Sequence, residues 1–264
     1  MNESARAASH ASPLKFFLLV FALSVPFWVL GAATDLQLLP GLPVSALAIL
    51  CPVTAAAILV HGQNGTQGVI RLLKRALDCQ RIRAKKWYAP ILLLMPAVMV
   101  SSYGLMRVMG MPLPTPEFSV LGAVVLFLVF LVAGAAEELG WSGYVIDPMQ
   151  RRWTALQASI LLGSVWAAWH IVALMQADRS FPWIAGWCLS TVAQRVLMVW
   201  IYNNTRSSVF GAILFHATSN LGWQLFPNQG SHYDPRVTGV ILAFAAAVVM
   251  VIWGPRTLAR SGNA

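Results

Sequence analysis

The chain of 264 residues is 58% hydrophobic and only 10% charged, with a mean hydropathy of +0.68, which excludes an ordinary water-soluble domain. Its formal net charge of +9 does not point to nucleic acid, because the basic residues gather in short breaks between apolar runs and form no basic face on a soluble module. The three cysteines, Cys51, Cys79 and Cys188, lack CxxC or other ligand spacing, so neither a disulfide framework nor a zinc knuckle is indicated.

A helix crossing a bilayer needs roughly 20 mostly apolar residues. In chain order the candidate spans are Leu14–Ala33, Val44–His61, Tyr88–Val108, Val120–Glu138 or beyond, Leu156–Gln176, Trp183–Tyr202, Val209–Phe226 and Val237–Trp253. The expected architecture is therefore all-α: a single polytopic transmembrane bundle of about eight spanning helices over residues 1–264. The first span ends on Gly31-Ala32-Ala33, which superficially resembles a signal-peptide cleavage site, but the apolar stretch is long for that and is read as an uncleaved helix. No internal repeat stands out.

Basic residues set the expected orientation. Fourteen of the 18 fall at one end of the bundle: Arg6, Lys15, Arg71, Lys74, Arg75, Arg81, Arg83, Lys85, Lys86, Arg151, Arg152, Arg206, Arg256 and Arg260. Arg107, Arg179 and Arg236 fall at the other end, and Arg195 lies inside a span. The asymmetry predicts a cell-membrane protein, of bacterial inner-membrane type, with both termini in the cytoplasm. Segment 62–87 reads as one basic loop that anchors this topology, with a short amphipathic piece around Val69–Arg75 able to lie on an anionic leaflet. His10, His61 and His232 fall in the tail, at a helix end and in an outer loop, where surface roles are expected.

Ionisable residues inside spans cost about 2.5–3.5 kcal/mol each at the bilayer centre for Asp, Lys and Arg, so each is a functional candidate. Glu137, Glu138, His170, Arg195 and His216 qualify. Counted back to the nearest arginine of the basic end at ~1.5 Å per residue, these positions and Asn220 lie roughly 15–27 Å along their helices. They converge on one level if the fourth helix continues through Leu139–Tyr144 toward Pro148; if it stops at Glu138, the carboxylates lie nearer the surface. His216 and Asn220, four apart, share one helix face. Adjacent Glu137 and Glu138 point about 100° apart, so one faces a cavity and the other braces a neighbouring helix. Trp166 and Trp169 stand beside His170 and desolvate its ring.

Glu137-Glu138-Leu139-Gly140-Trp141-Ser142-Gly143-Tyr144, then Trp166-x-x-x-His170, then His216-x-x-x-Asn220, resemble the three ordered motifs of the CPBP family of intramembrane proteases, which includes the type II CAAX prenyl endopeptidases. The motif-bearing, peptidase-like core is about 118–226. The resemblance implies an endopeptidase that hydrolyses a peptide bond in a cavity expected to open to the cytoplasmic side. It implies a catalytic set of Glu137, Glu138, His170, His216 and Asn220. Glu137 and His170 activate water, and His216 and Asn220 stabilise the oxyanion. The partners implied are the lipid bilayer and a peptide or membrane-protein substrate, CAAX-like or other.

Ser142 stands where the family's first motif usually carries arginine, and Arg195 is expected to bring the missing cation to Glu138. Glu137, His170 and His216 are the candidates for a Glu/His2 zinc set, although HExxH is absent and a glutamate-based mechanism needs no tightly bound metal. A catalytically silent scaffold using the same cavity and a small-solute or proton transporter are the alternative functions.

Overall fold

The computed structural model describes residues 12–34, 36–39 and 42–260; Arg6 and His10 lie outside them. Helices form at all eight predicted places: α1 (Pro13–Ala33), α2 (Leu50–Lys74), α3 (Tyr88–Val108), α4 (Val120–Gly140), α5 (Ala155–Gln176), α6 (Phe181–Asn204), α7 (Val209–Gln224) and α8 (Pro235–Trp253). Seven of them, all but α7, are long and apolar enough to cross a membrane among the described residues. A two-stranded antiparallel ribbon, β1 (Gln37–Leu39) and β2 (Leu42–Pro43), followed by a 3₁₀ turn over Val44–Ile49, joins α1 to α2.

Large apolar side chains face outward along the spans, among them Val120, Leu121, Val132, Val100, Phe244 and Val251, whereas Glu137, Glu138, Arg195 and His216 are buried. A soluble protein rarely exposes so much contiguous apolar surface; lipid is the solvent that fits it. This is an integral membrane protein. Helix α6 occupies the middle, packed along α5 and α8, while α7 runs along α4 and α3 and α2 lies on α4.

Two boundaries differ from the sequence reading in ways that matter for the site. Helix α4 does continue: Gly140 leads into a π-helical turn, Trp141–Val145, and a last α-turn, Ile146–Gln150. Such wide turns inside helices recur at functional sites. Residues 62–74, read as loop, are helical, because Gly62-Gln63-Asn64-Gly65 breaks α2 only at Gly65 (φ 61°, ψ −166°) and the amphipathic piece continues beyond it. That piece reaches the site, since Arg75 Nη1 donates to the carbonyl of Gly143 at 2.6 Å. Asp78, further along the same segment, accepts from Ser208 Oγ (2.8 Å), Phe210 N (3.0 Å) and Val209 N (3.3 Å), capping the first turn of α7. A carboxylate there satisfies orphan N–H groups and complements the helix dipole. The segment therefore does more than anchor topology: it fixes the helix that carries His216 and Asn220.

Gly140 sets the approach of α2 to α4. A Cβ on it would stand 2.6 Å from the backbone oxygen of Pro52. Gly140→Ala is therefore expected to lower stability by about 1–3 kcal/mol through overpacking against rigid backbone, read as a lower midpoint of thermal unfolding in detergent.

Candidate active site

Glu137, on the last turn of α4, is held by two indoles. Its Oε2 accepts from Trp166 Nε1 on α5 at 2.8 Å and from Trp141 Nε1 at 3.3 Å. Its Oε1 faces His216 Nε2 on α7 at 3.8 Å. Trp166 joins the parts of the site. Its ring lies under the Arg195 guanidinium, 4.3 Å from Cζ to the ring centre, and meets His216 and His170 edge-on at centroid distances of 5.2 and 5.5 Å.

Glu138 turns the other way, as the 100° spacing requires, and is fully buried. Arg195 of α6 grips it with two hydrogen bonds, Nη1 to Oε2 at 2.9 Å and Nη2 to Oε1 at 3.0 Å. The Ser142 hydroxyl donates to the same Oε2, and Arg195 Nη1 also reaches Ser142 Oγ at 3.3 Å. The position usually held by a motif arginine thus contributes a hydroxyl, while the cation arrives from another helix. Glu138 Oε1 also accepts from His216 Nδ1 at 3.0 Å. A carboxylate clasped by arginine can only accept, so Nδ1 carries the proton and the ring is oriented with Nε2 toward Glu137. Grouped with the catalytic residues in the sequence reading, Glu138 does not line the cavity; both its oxygens are committed to Arg195, Ser142 and His216.

On α5, His170 is half-buried, and its Nδ1 meets the Trp166 carbonyl at 2.8 Å. A carbonyl only accepts, so Nδ1 bears the proton and, in the neutral ring, Nε2 offers a lone pair. Glu137, His170, His216 and Asn220 all line one cavity of about 450 Å³. Thr191, Gln194 and Ser219 line it too, with Ser219 Oγ donating to Gln194 Oε1 at 2.6 Å. Nothing in the sequence singled these three out, because hydroxyl and amide residues are common in helical bundles. Trp141 and Trp166 sat inside the quoted motifs, but their role as donors to Glu137 was legible only once the helices were placed.

Among the described residues, no three His, Cys, Asp or Glu side chains are grouped so as to hold a metal ion; Glu137 Oε2 and both Nδ1 atoms have partners, while Glu137 Oε1 and the two Nε2 atoms face the other way.

A helical bundle with an acid, two imidazoles and an amide on one intramembrane cavity is the architecture of a membrane-embedded site for polar chemistry. Residues 119–222, the segment that carries the site, are similar to the family described as Type II CAAX prenyl endopeptidase Rce1-like. Over 268 aligned residues the chain is 28% identical to the CAAX prenyl protease 2 of Methanococcus maripaludis, covering 90% of this chain and 93% of that protein.

Proposed function

We propose that this chain is an intramembrane endopeptidase in which Glu137 and His170 activate a water molecule and His216 and Asn220 receive the oxyanion. The observation that carries the reading is the meeting of these four side chains, from α4, α5 and α7, on one cavity. Glu137 takes a proton from the water, whose oxygen attacks the peptide carbonyl. The two indole N–H groups fix the carboxylate but occupy only Oε2, leaving Oε1 for the proton. His170 Nε2, the unprotonated ring atom, positions the same water from α5. The developing O⁻ is met by the Asn220 amide and by Nε2–H of His216 in its imidazolium form. Collapse of the tetrahedral intermediate expels the amine, to which Glu137 returns the proton. Fixed donors in a dry site stabilise such charge far better than water does.

The Arg195–Glu138–His216 chain supports competence, since the cation absent at position 142 is present on α6. The substrate of this reading is a membrane-associated peptide, CAAX-like or other. Purified protein in detergent is expected to cleave members of a fluorogenic peptide library. His170→Ala should lower the rate by about 10²-fold, the scale of a misplaced reactant, with an unchanged unfolding midpoint. Cleavage unaffected by His170→Ala would remove that residue from the mechanism, and no cleavage by any preparation would favour a silent scaffold.

A further inference from the structure

Helix α6 lends no residue to the proposed water-activating and oxyanion groups, yet it forms part of the wall of their cavity through Thr191 and Gln194. Three residues apart, these side chains share one face of the helix. Arg195, the next residue along, turns about 100° away to clasp Glu138 and rest on Trp166. The turn of α6 that holds the buried ion pair therefore also presents Gln194 to the cavity.

The Gln194 amide is held in one orientation. Its Oε1 accepts from Ser219 Oγ on α7 at 2.6 Å. A helical serine commonly donates to the carbonyl four residues back, but for Ser219 that carbonyl, of Phe215, already accepts from Thr218 Oγ1 at 2.8 Å, so the Ser219 proton goes to Gln194. With the oxygen committed, the free end of the amide is Nε2. That atom carries two N–H donors and has no partner among the described residues. Gln194 itself is half-buried, and Met99, Phe130 and Ala173 are among the apolar side chains that line the same cavity. A donor in such surroundings costs free energy until something accepts from it.

We propose that Gln194 is a specificity-determining residue that donates from Nε2 to a backbone carbonyl oxygen of the peptide substrate, one or two residues from the bond cut. A peptide entering an apolar cavity gives up water at each of its carbonyls, and those carbonyls need new donors. Spacing sets which of them Gln194 serves. Ser219, its anchor, directly precedes Asn220, the proposed oxyanion donor; consecutive Cα atoms lie about 3.8 Å apart, close to the length of one residue in an extended chain. The carbonyl bound by Gln194 is therefore near the one attacked. The proposal rests on the hydrolase reading and adds to it the group that sets the register of the peptide across Glu137.

The test uses a peptide that the purified protein cleaves in detergent, taken from the fluorogenic library, and analogues in which each carbonyl within two residues of the scissile bond is replaced in turn by a trans-alkene. Gln194→Met keeps the bulk of the side chain and removes both N–H donors. It should raise KM about 10-fold with kcat within about twofold, the pattern of a lost contact made equally in ground and transition states. One alkene analogue should show the same rise with the wild-type protein and no further rise with Gln194→Met, as expected when two changes remove one contact. Ser219→Ala frees the amide to turn over and should raise KM by a smaller factor, about 3-fold. An unchanged KM in Gln194→Met, or the absence of any analogue whose effect is lost in that variant, would overturn the proposal. So would a lower unfolding midpoint with normal KM, the mark of a Gln194–Ser219 bond that only joins helices. Failure of the hydrolase reading looks different: if no library peptide is cleaved, both readings fall, and if Glu137→Gln cleaves at the wild-type rate while the Gln194 coupling persists, the mechanism alone falls.

Discussion

Arg195→Ala is expected to destabilise the protein by about 3–5 kcal/mol, the usual result of removing one member of a buried ion pair and stranding the other. The residue is fully buried, its Nη atoms are spent on Glu138 and Ser142, and its guanidinium rests on Trp166. Glu138→Gln should cost less than a full charge deletion, because an amide retains an acceptor for one Nη. The pair should also be strongly non-additive: Arg195→Ala and Glu138→Gln together should destabilise by less than the sum of the two, as expected for residues in contact. Strict additivity in thermal or denaturant unfolding would show that the two do not act as a pair. Replacing both by apolar residues, Arg195→Met with Glu138→Leu, should recover much of the stability. It should not recover cleavage, because His216 loses the carboxylate that fixes its Nδ1–H. A double variant that is both stable and fully active would show that Glu138 has no part in orienting His216.

Glu137→Gln should give the largest loss of activity. The substitution keeps the size of the side chain, and its amide oxygen can still accept from Trp166 and Trp141, so the fold should persist within about 1 kcal/mol, the scale of one altered hydrogen bond. What disappears is the proton acceptor. A fall in kcat of about 10²–10⁴-fold with little change in KM is the signature of a group needed only in the transition state. A large rise in KM with kcat preserved would instead make Glu137 a binding residue. Measuring Glu137→Gln beside Glu138→Gln divides the two roles: the first should lower kcat without altering stability, and the second should lower both.

The sequence carried the site further than the geometry of its surroundings. Eight apolar runs gave eight helices, because a backbone in lipid must satisfy its own hydrogen bonds. The i,i+4 spacing put His216 and Asn220 on one face. The spare cation and spare anion, Arg195 and Glu138, are paired in the structure. Less legible was the 62–87 segment, read as one basic loop; residues 62–74 are helical apart from Gly65, and the remainder folds back to tie Gly143 and cap α7. That outcome depends on contacts with residues 68 and 130 positions away in the chain, which no local pattern records.

By itself the sequence determined that this is a helical membrane protein, that its ionisable groups lie at depth on four helices, and that one end of the bundle is basic. Only the tertiary structure decided which of two adjacent carboxylates faces the cavity. Helical periodicity fixes the angle between neighbouring side chains but not the rotation of the helix about its axis. That rotation is set by Trp166 and Arg195, partners supplied by α5 and α6. The Arg75, Tyr202 and Asp147 network likewise joins three separate parts of the chain.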